Sequence, residues 1–144
     1  MAGVTFSWSI RVYHEDTDGG GVVYHSNYLN FMERARTEWL RDLGFGQTQL
    51  KDELNIIIVV HALSIDYHHP ARFDDALIVL SELTKIGRSS FEFRQKIMRD
   101  ELVLTTSQVR LVCVDADKFK PVAIPQAIKL KMTKESLKER AEYL

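Results

Sequence analysis

Between Ser26 and Gly44 the apolar residues of this chain repeat with the period of a helix, and most of the chain beyond that stretch, from Ile56 to Val114, reads as strands. Tyr28, Met32, Ala35, Trp39 and Leu43 fall on one helical stripe, widened by Leu29, Phe31 and Leu40. Glu33, Arg34, Arg36, Thr37 and Arg41 form the polar side. So wide an apolar face must be covered. The strands available are Phe6–Tyr13, Ile56–His68, Leu77–Leu83, Phe91–Ile97 and Leu102–Val114, and the last four succeed one another through connections short enough to imply antiparallel hairpins. The expectation is an α+β domain, one long helix with an antiparallel sheet of about five strands. One helix covers only one face of a sheet, so the other needs solvent or a second subunit. Ile56-Ile-Ile-Val-Val60, apolar on both faces, favours the subunit.

Local signals refine this outline. Ser26 or Asn27 is placed to cap the long helix, Gly44 to stop it, and Arg34 to pair with Glu38 four residues on. Thr48–Leu54 suits a short second helix. Apolar parity in the last strand shifts from Leu102 and Leu104 to Val109, Leu111 and Cys113, which predicts a bulge near Thr106. Residues 1–130 are expected to form the domain, and residues 131–144 a charged C-terminal helix or tail with Leu137, Ala141 and Leu144 on a narrow stripe.

Composition narrows the function. A net charge of −1 and a pI near 6.5 provide no field for nucleic acid or an anionic membrane. The longest apolar run is far short of a membrane span, and the N-terminus lacks the pattern of a secretory signal. The single cysteine, Cys113, excludes an internal disulfide and fits a reducing compartment, so the cytoplasm is expected.

The chemistry concentrates in Arg11-Val-Tyr-His-Glu-Asp-Thr-Asp-Gly-Gly-Gly-Val-Val-Tyr-His-Ser-Asn-Tyr28. Three carboxylates precede a triple glycine and the mouth of the long helix. If the strand persists, His14, Asp16 and Asp18 share one face and Tyr13 and Glu15 the other. Asp18 adjoins the glycines and is best placed to meet a ligand. Gly20 and Gly21 have no side chains to hold a substrate away, and the N–H groups around Tyr24 to Asn27 are positioned to donate to a developing oxyanion. A carboxylate opposite an oxyanion site suits acyl transfer or hydrolysis. No Gly-x-Ser-x-Gly elbow occurs, and Cys113 has no nearby base. By itself, an acidic turn followed by glycines and a capped helix is also a common strand-to-helix connection.

The same residues, continuing into Phe31-Met-Glu-Arg-Ala-Arg-Thr-Glu-Trp-Leu40, resemble the signature of the hotdog-fold acyl-CoA thioesterases. The resemblance lies closest to the 4-hydroxybenzoyl-CoA thioesterase family and its YbgC-like branch, encoded with the Tol-Pal system in many bacteria. Tyr67-His-His-Pro-Ala-Arg-Phe-Asp-Asp75 and Val112-Cys-Val-Asp115 extend it, to about Pro125. It implies a helix wrapped by the sheet, subunits joined edge to edge as homodimers or homotetramers, and active sites shared between them. It also implies hydrolysis of acyl-CoA, or of acyl carrier protein thioesters, with no cofactor beyond the coenzyme A of the substrate. Asp18 takes the place of the family's acidic residue, nucleophile or general base. His25 matches the branch's histidine, whose backbone N–H polarises the thioester carbonyl beside Tyr24. The branch commonly has tyrosine where this chain has His14, a departure that bears on substrate choice and on pH dependence, since imidazole changes charge near neutrality. Arg88, Ser89 and Ser90 are the residues assigned to the phosphates of coenzyme A.

Two other classes compete, a hotdog hydratase or dehydratase and a non-catalytic acyl-CoA or acyl-carrier-protein binding module. His68 and His69 are neighbours in a strand and point apart, so no metal site is expected.

Overall fold

A computed structural model of the chain describes residues 6–142, with side chains described to residue 134. The N-terminal five residues and Leu144 lie outside the described residues, and the stripe expected at Leu137, Ala141 and Leu144 lies outside the described side chains. In chain order the elements are β1 (Phe6–Arg11), a 3-10 turn (His14–Asp16), α1 (Asn27–Asp42), α2 (Gln47–Leu54), β2 (Ile56–Tyr67), β3 (Ala76–Ile86), β4 (Ser90–Arg99), β5 (Leu102–Asp115) and α3 (Gln126–Glu142). The strands form one antiparallel sheet in the order β1-β3-β4-β5-β2. Sheet and central helix have the arrangement implied by the hotdog resemblance.

The helix is packed as its period requires. Tyr28, Phe31, Met32, Ala35, Trp39 and Leu40 are buried, facing Leu77, Val79, Phe91, Phe93, Ile97 and Val109 of the sheet. Trp39 meets the edge of Phe93 at 4.9 Å between ring centres, an aromatic geometry that adds to the burial itself. Gly44 adopts a φ of +98° just past the helix end, as a stop residue should.

Several local expectations are corrected. The first strand ends at Arg11, and His14–Asp16 is a helical turn, so His14, Asp16 and Asp18 do not lie along a strand face. Ser26 precedes α1 but makes no side-chain cap bond. Glu38 pairs with Arg41 rather than with Arg34, which lies over the Phe31 ring. The bulge in β5 falls at Leu104: Ile97 pairs with Thr105 and Met98 with Val103. Its carbonyl accepts the N–H groups of both His68 and His69, which turns the chain off the end of β2.

Arg36, assigned by pattern to the polar side, instead reaches into the core. Its guanidinium donates to Gln95 Oε1 at 2.9 Å, while Gln95 Nε2 donates to the Met32 carbonyl and the Ser81 hydroxyl. Gln95 and Ser81 are fully buried. Burial draws the Arg36 guanidinium below its ordinary pKa, and the nearby Glu33 charge opposes that shift. Replacing Gln95 by leucine strands the Arg36 charge and two backbone or hydroxyl partners in the core. Gln95→Leu is expected to lower unfolding free energy in urea by about 2 kcal/mol. A change within ~0.5 kcal/mol would show that the network contributes nothing.

Candidate active site

The segment between β1 and α1 folds as a small hairpin laid against the 70–75 loop. Thr17 bridges Val23, Asp18 N donates to the Val22 carbonyl at 2.9 Å, and Gly21 N closes the turn on the Asp18 carbonyl. Gly21 has a φ of +83°, a conformation open to glycine and strained for other residues. A side chain on Gly20 would press its Cβ to 3.2 Å from Asp18 Oδ1. The triple glycine therefore shapes the tip on which the carboxylate sits, besides leaving it uncovered.

The three carboxylates have separate positions. Asp16 is buried, with 6% of its surface exposed. Its Oδ2 accepts the Tyr13 N–H at 2.9 Å and its Oδ1 accepts Asn27 Nδ2 at 2.7 Å. Its carbonyl oxygen accepts the Tyr24 N–H. Glu15 is exposed. Asp18 is exposed at the hairpin tip, where Oδ1 accepts the Gly20 N–H at 2.7 Å, and it makes no ion pair among the described residues. A free carboxylate edge is thus available to water or a ligand.

At the base of the hairpin, where Tyr24 N meets the Asp16 carbonyl, stand Tyr24 and His25. Both are exposed, with ring centres 4.5 Å apart. The His25 N–H donates to nothing among the described residues, although its neighbours Tyr24 N and Asn27 N are both engaged. Asp18, Gly20, Gly21, Tyr24 and His25 therefore share one hairpin, and a free N–H stands at the start of a 16-residue helix. His14 takes a different position: its ring stacks on Phe73 at 3.8 Å, docking the 3-10 turn on the 70–75 loop. Arg88, Ser89 and Ser90 lie in or beside the β3–β4 turn. That turn is at the far end of the strand from Ala76, roughly 30 Å along β3. Within one chain the fold does not bring them to Asp18. Burial pushes the Cys113 thiol up to about 11, so it is no thiolate at neutral pH.

The 70–75 loop braces the hairpin. Val23 N donates to the Ala71 carbonyl, Ala71 N donates to the Tyr28 hydroxyl, and Val22 bridges Arg72. Asp75 anchors the loop by accepting Arg72 N–H and Arg99 Nη1, the latter at 2.7 Å. Pattern reading named Asn27 as a cap and an N–H donor but not as the partner of Asp16, and it did not single out Tyr67, Asp75 or Arg99. Only the Tyr67–Asp75 block, as a block, signalled that this loop matters.

The comparisons define the class. A profile described as Thioesterase superfamily matches residues 20–106, and the chain belongs to that family. Its relatives are more particular. The acyl-CoA thioesterase YbgC of Haemophilus influenzae is 48% identical over 124 residues, covering 86% of this chain and 91% of that one. The acyl-CoA thioester hydrolase YbgC of Escherichia coli O6:H1 is 46% identical over 124 residues, covering 85% and 92%. Among solved structures, a probable thioesterase from Bartonella henselae superposes with a TM-score of 0.79 at 34% identity, covering 83% of this chain and 98% of that one. The chain has the hotdog fold of these thioesterases and is a hydrolase. No helix among the described residues is long and apolar enough to cross a membrane.

Burial alone would raise the Asp75 carboxyl, but the Arg72 N–H and the bond and charge of Arg99 outweigh it and hold it below its ordinary value. A carboxyl depressed on folding stabilises the protein above its unfolded pKa and ceases to do so as pH falls through the folded one. The stability gap between wild type and Asp75→Asn in urea is expected to be full at neutral pH and to close below about pH 4. A gap of equal size at pH 7 and pH 3 would overturn this account.

Proposed function

We propose that the protein hydrolyses the thioester bond of acyl-CoA, with Asp18 acting on water or on the acyl carbon and the His25 N–H receiving the carbonyl oxygen. The observation that carries this reading is the free His25 N–H on the same hairpin as an exposed, unpaired carboxylate. As the carbonyl carbon becomes tetrahedral, its oxygen gains charge, and a fixed N–H with a helix dipole behind it lowers that barrier. Water gives its hydroxyl to the acyl carbon and a proton to the departing sulfur, so a carboxylic acid and the coenzyme A thiol leave. The comparisons favour neither a hydratase nor a non-catalytic binding module.

We read the site as shared between two copies of the chain. β2 is an edge strand of 12 residues, with Val60 at 53% and Leu63 at 39% exposure. A long apolar edge invites another strand. The outer face of the sheet is less suited, since it carries the ion pairs Glu82–Arg94 and Glu92–Arg110. Antiparallel pairing of two β2 edges sets the Tyr67 end of one copy beside the Ile56 end of the other. The Arg88–Ser90 turn lies at that Ile56 end, since Ser90 pairs with Val112 and Val112 with Val59. A turn remote from its own Asp18 thereby approaches the partner's site, where coenzyme A phosphates need a cation.

A cavity of about 180 Å³ adjoins the same edge, with Ile58, Val60 and Phe93 among its walls and Arg36 and Glu33 also lining it. A cavity of ~150 Å³ holds benzene, so this one suits a single ring or a chain of about six carbons. In a thiol-release assay over a panel of acyl-CoAs and acyl carrier protein thioesters, turnover is expected to be greatest for short or single-ring acyl groups. Asp18→Asn is expected to lose at least ~100-fold in rate with its circular dichroism unchanged. Wild-type rates in that variant would overturn the site. The edge reading has its own test: Val60→Pro is expected to sediment as a monomer, whereas wild type sediments as a dimer or larger.

A further inference from the structure

We propose that Tyr67 is a positioning residue for the oxyanion donors, which are the adjacent N–H groups of His25 and Ser26. This inference rests on the thioester-cleaving site described above. Several of the hydrogen-bonding groups around the helix mouth are engaged. Val23 N donates to Ala71, Tyr24 N to Asp16, Asn27 N to the Tyr24 carbonyl, and Leu29 N to the Ser26 carbonyl. The carbonyl of His25 has a different partner, the hydroxyl of Tyr67, at 2.8 Å across 42 residues of sequence. The N–H groups of His25 and Ser26 donate to nothing among the described residues.

The pairing within each peptide unit gives the arrangement its chemical sense. Peptide 24–25 has its carbonyl on Asn27 N and its N–H free. Peptide 25–26 has its carbonyl on Tyr67 and its N–H free. A carbonyl that accepts a hydrogen bond polarises the N–H of its own peptide, and bonds in such a chain reinforce one another. The Tyr67 bond therefore fixes the plane of the second donor, stiffens the residue that bears the first, and enhances the charge the Ser26 N–H offers. The ring of Tyr67 is held in turn by Tyr28, edge on at 5.5 Å, and Tyr28 accepts the Ala71 N–H. Tyr67 is 46% exposed, so its hydroxyl is not needed to satisfy a buried group: without it the His25 carbonyl would bond to water. What the tyrosine supplies is direction.

Tyr67→Phe keeps the ring and its packing on Tyr28 and removes only the hydroxyl. Steady-state rates of wild type, Tyr67→Phe and Asp18→Asn should be compared, together with inhibition by two non-hydrolysable acyl-CoA analogues. A trifluoromethyl ketone develops the oxyanion, whereas a thioether has no oxygen to stabilise. For Tyr67→Phe we expect kcat roughly 10- to 100-fold below wild type, with KM, thermal unfolding midpoint and thioether binding unchanged and ketone binding weakened in step with kcat. Unchanged kcat and ketone binding would overturn the inference, and so would equal weakening of both analogues, which would mark Tyr67 as a wall of the pocket. Asp18→Asn separates the two levels of argument. If it turns over like wild type, the site itself is misplaced; if it is inactive while Tyr67→Phe matches wild type, only the role of Tyr67 fails.

Discussion

The buried carboxylate of Asp16 is the contact on which the rest of the site depends. Asp16 ties together three pieces of chain that would otherwise be independent: its carboxylate holds the exit of β1 through Tyr13 and the start of α1 through Asn27, and its backbone carbonyl holds the return of the hairpin through Tyr24. Bonds to a carboxylate are stronger than those between neutral groups, and a negative charge at a helix N-terminus is favoured by the dipole. Asn27 extends the arrangement by accepting from Asn30, one turn into the helix. Ser26, one of the two residues whose pattern suits a cap, is left without a capping bond. Asp16 and Asn27 tether the start of the helix through side chains alone, and the backbone N–H groups of His25 and Ser26 stay open.

This division of labour explains why a segment with three acids needs more than one. A carboxylate that holds structure must be buried and saturated, and a carboxylate that meets substrate must keep a free edge. Asp16 satisfies the first requirement, and Asp18, two residues on, has the free edge that the second asks for, because the chain passes through a 3-10 turn where a strand would have put them on one face. The turn is itself pinned, by the stack of His14 on Phe73. Phe73 belongs to the loop that Asp75 and Arg99 anchor to β4. Position 14 is thereby linked to the hairpin through packing, and the histidine found there faces a phenylalanine.

The central helix and all five strands were legible because their burial patterns repeat over many residues, so a single exception does not mask the period. Gln95 is instructive: the apolar parity of Phe91, Phe93 and Ile97 placed it in the core, but nothing in the pattern said that Arg36 would join it there. The β5 bulge was expected near Thr106 and falls at Leu104, since parity records that a slip occurs somewhere in an interval without fixing the residue. The candidate site stood out as a segment through its motif. It was not legible as geometry, because the contacts that fix it, Asn27 with Asp16 and Tyr67 with the His25 carbonyl, join residues whose spacing obeys no period. The turn at Arg88 illustrates the same limit in reverse, since its distance from Asp18 is a property of strand length and topology.

β2 connects these threads. It is the outermost strand, held by β5 on one side and open on the other, and its last residue is Tyr67. The irregularity at His61, which falls between the pairs Val60–Leu111 and Ala62–Arg110, divides it into two halves. The Ile56–Val60 half borders the cavity beneath α1, and the Ala62–Tyr67 half leads to the helix mouth. A strand with one free edge gains hydrogen bonds along its whole length when a second copy pairs with it, including at the end that carries Tyr67. Pairing at that edge would hold the Tyr67 hydroxyl against His25 in each copy while bringing the partner's Ile56 end, with its cavity, alongside. On this reading assembly completes the site in two ways, by supplying the second wall and by stiffening the peptide that receives the oxyanion. A chain kept monomeric would then lose rate even where its own Asp18 and His25 were untouched.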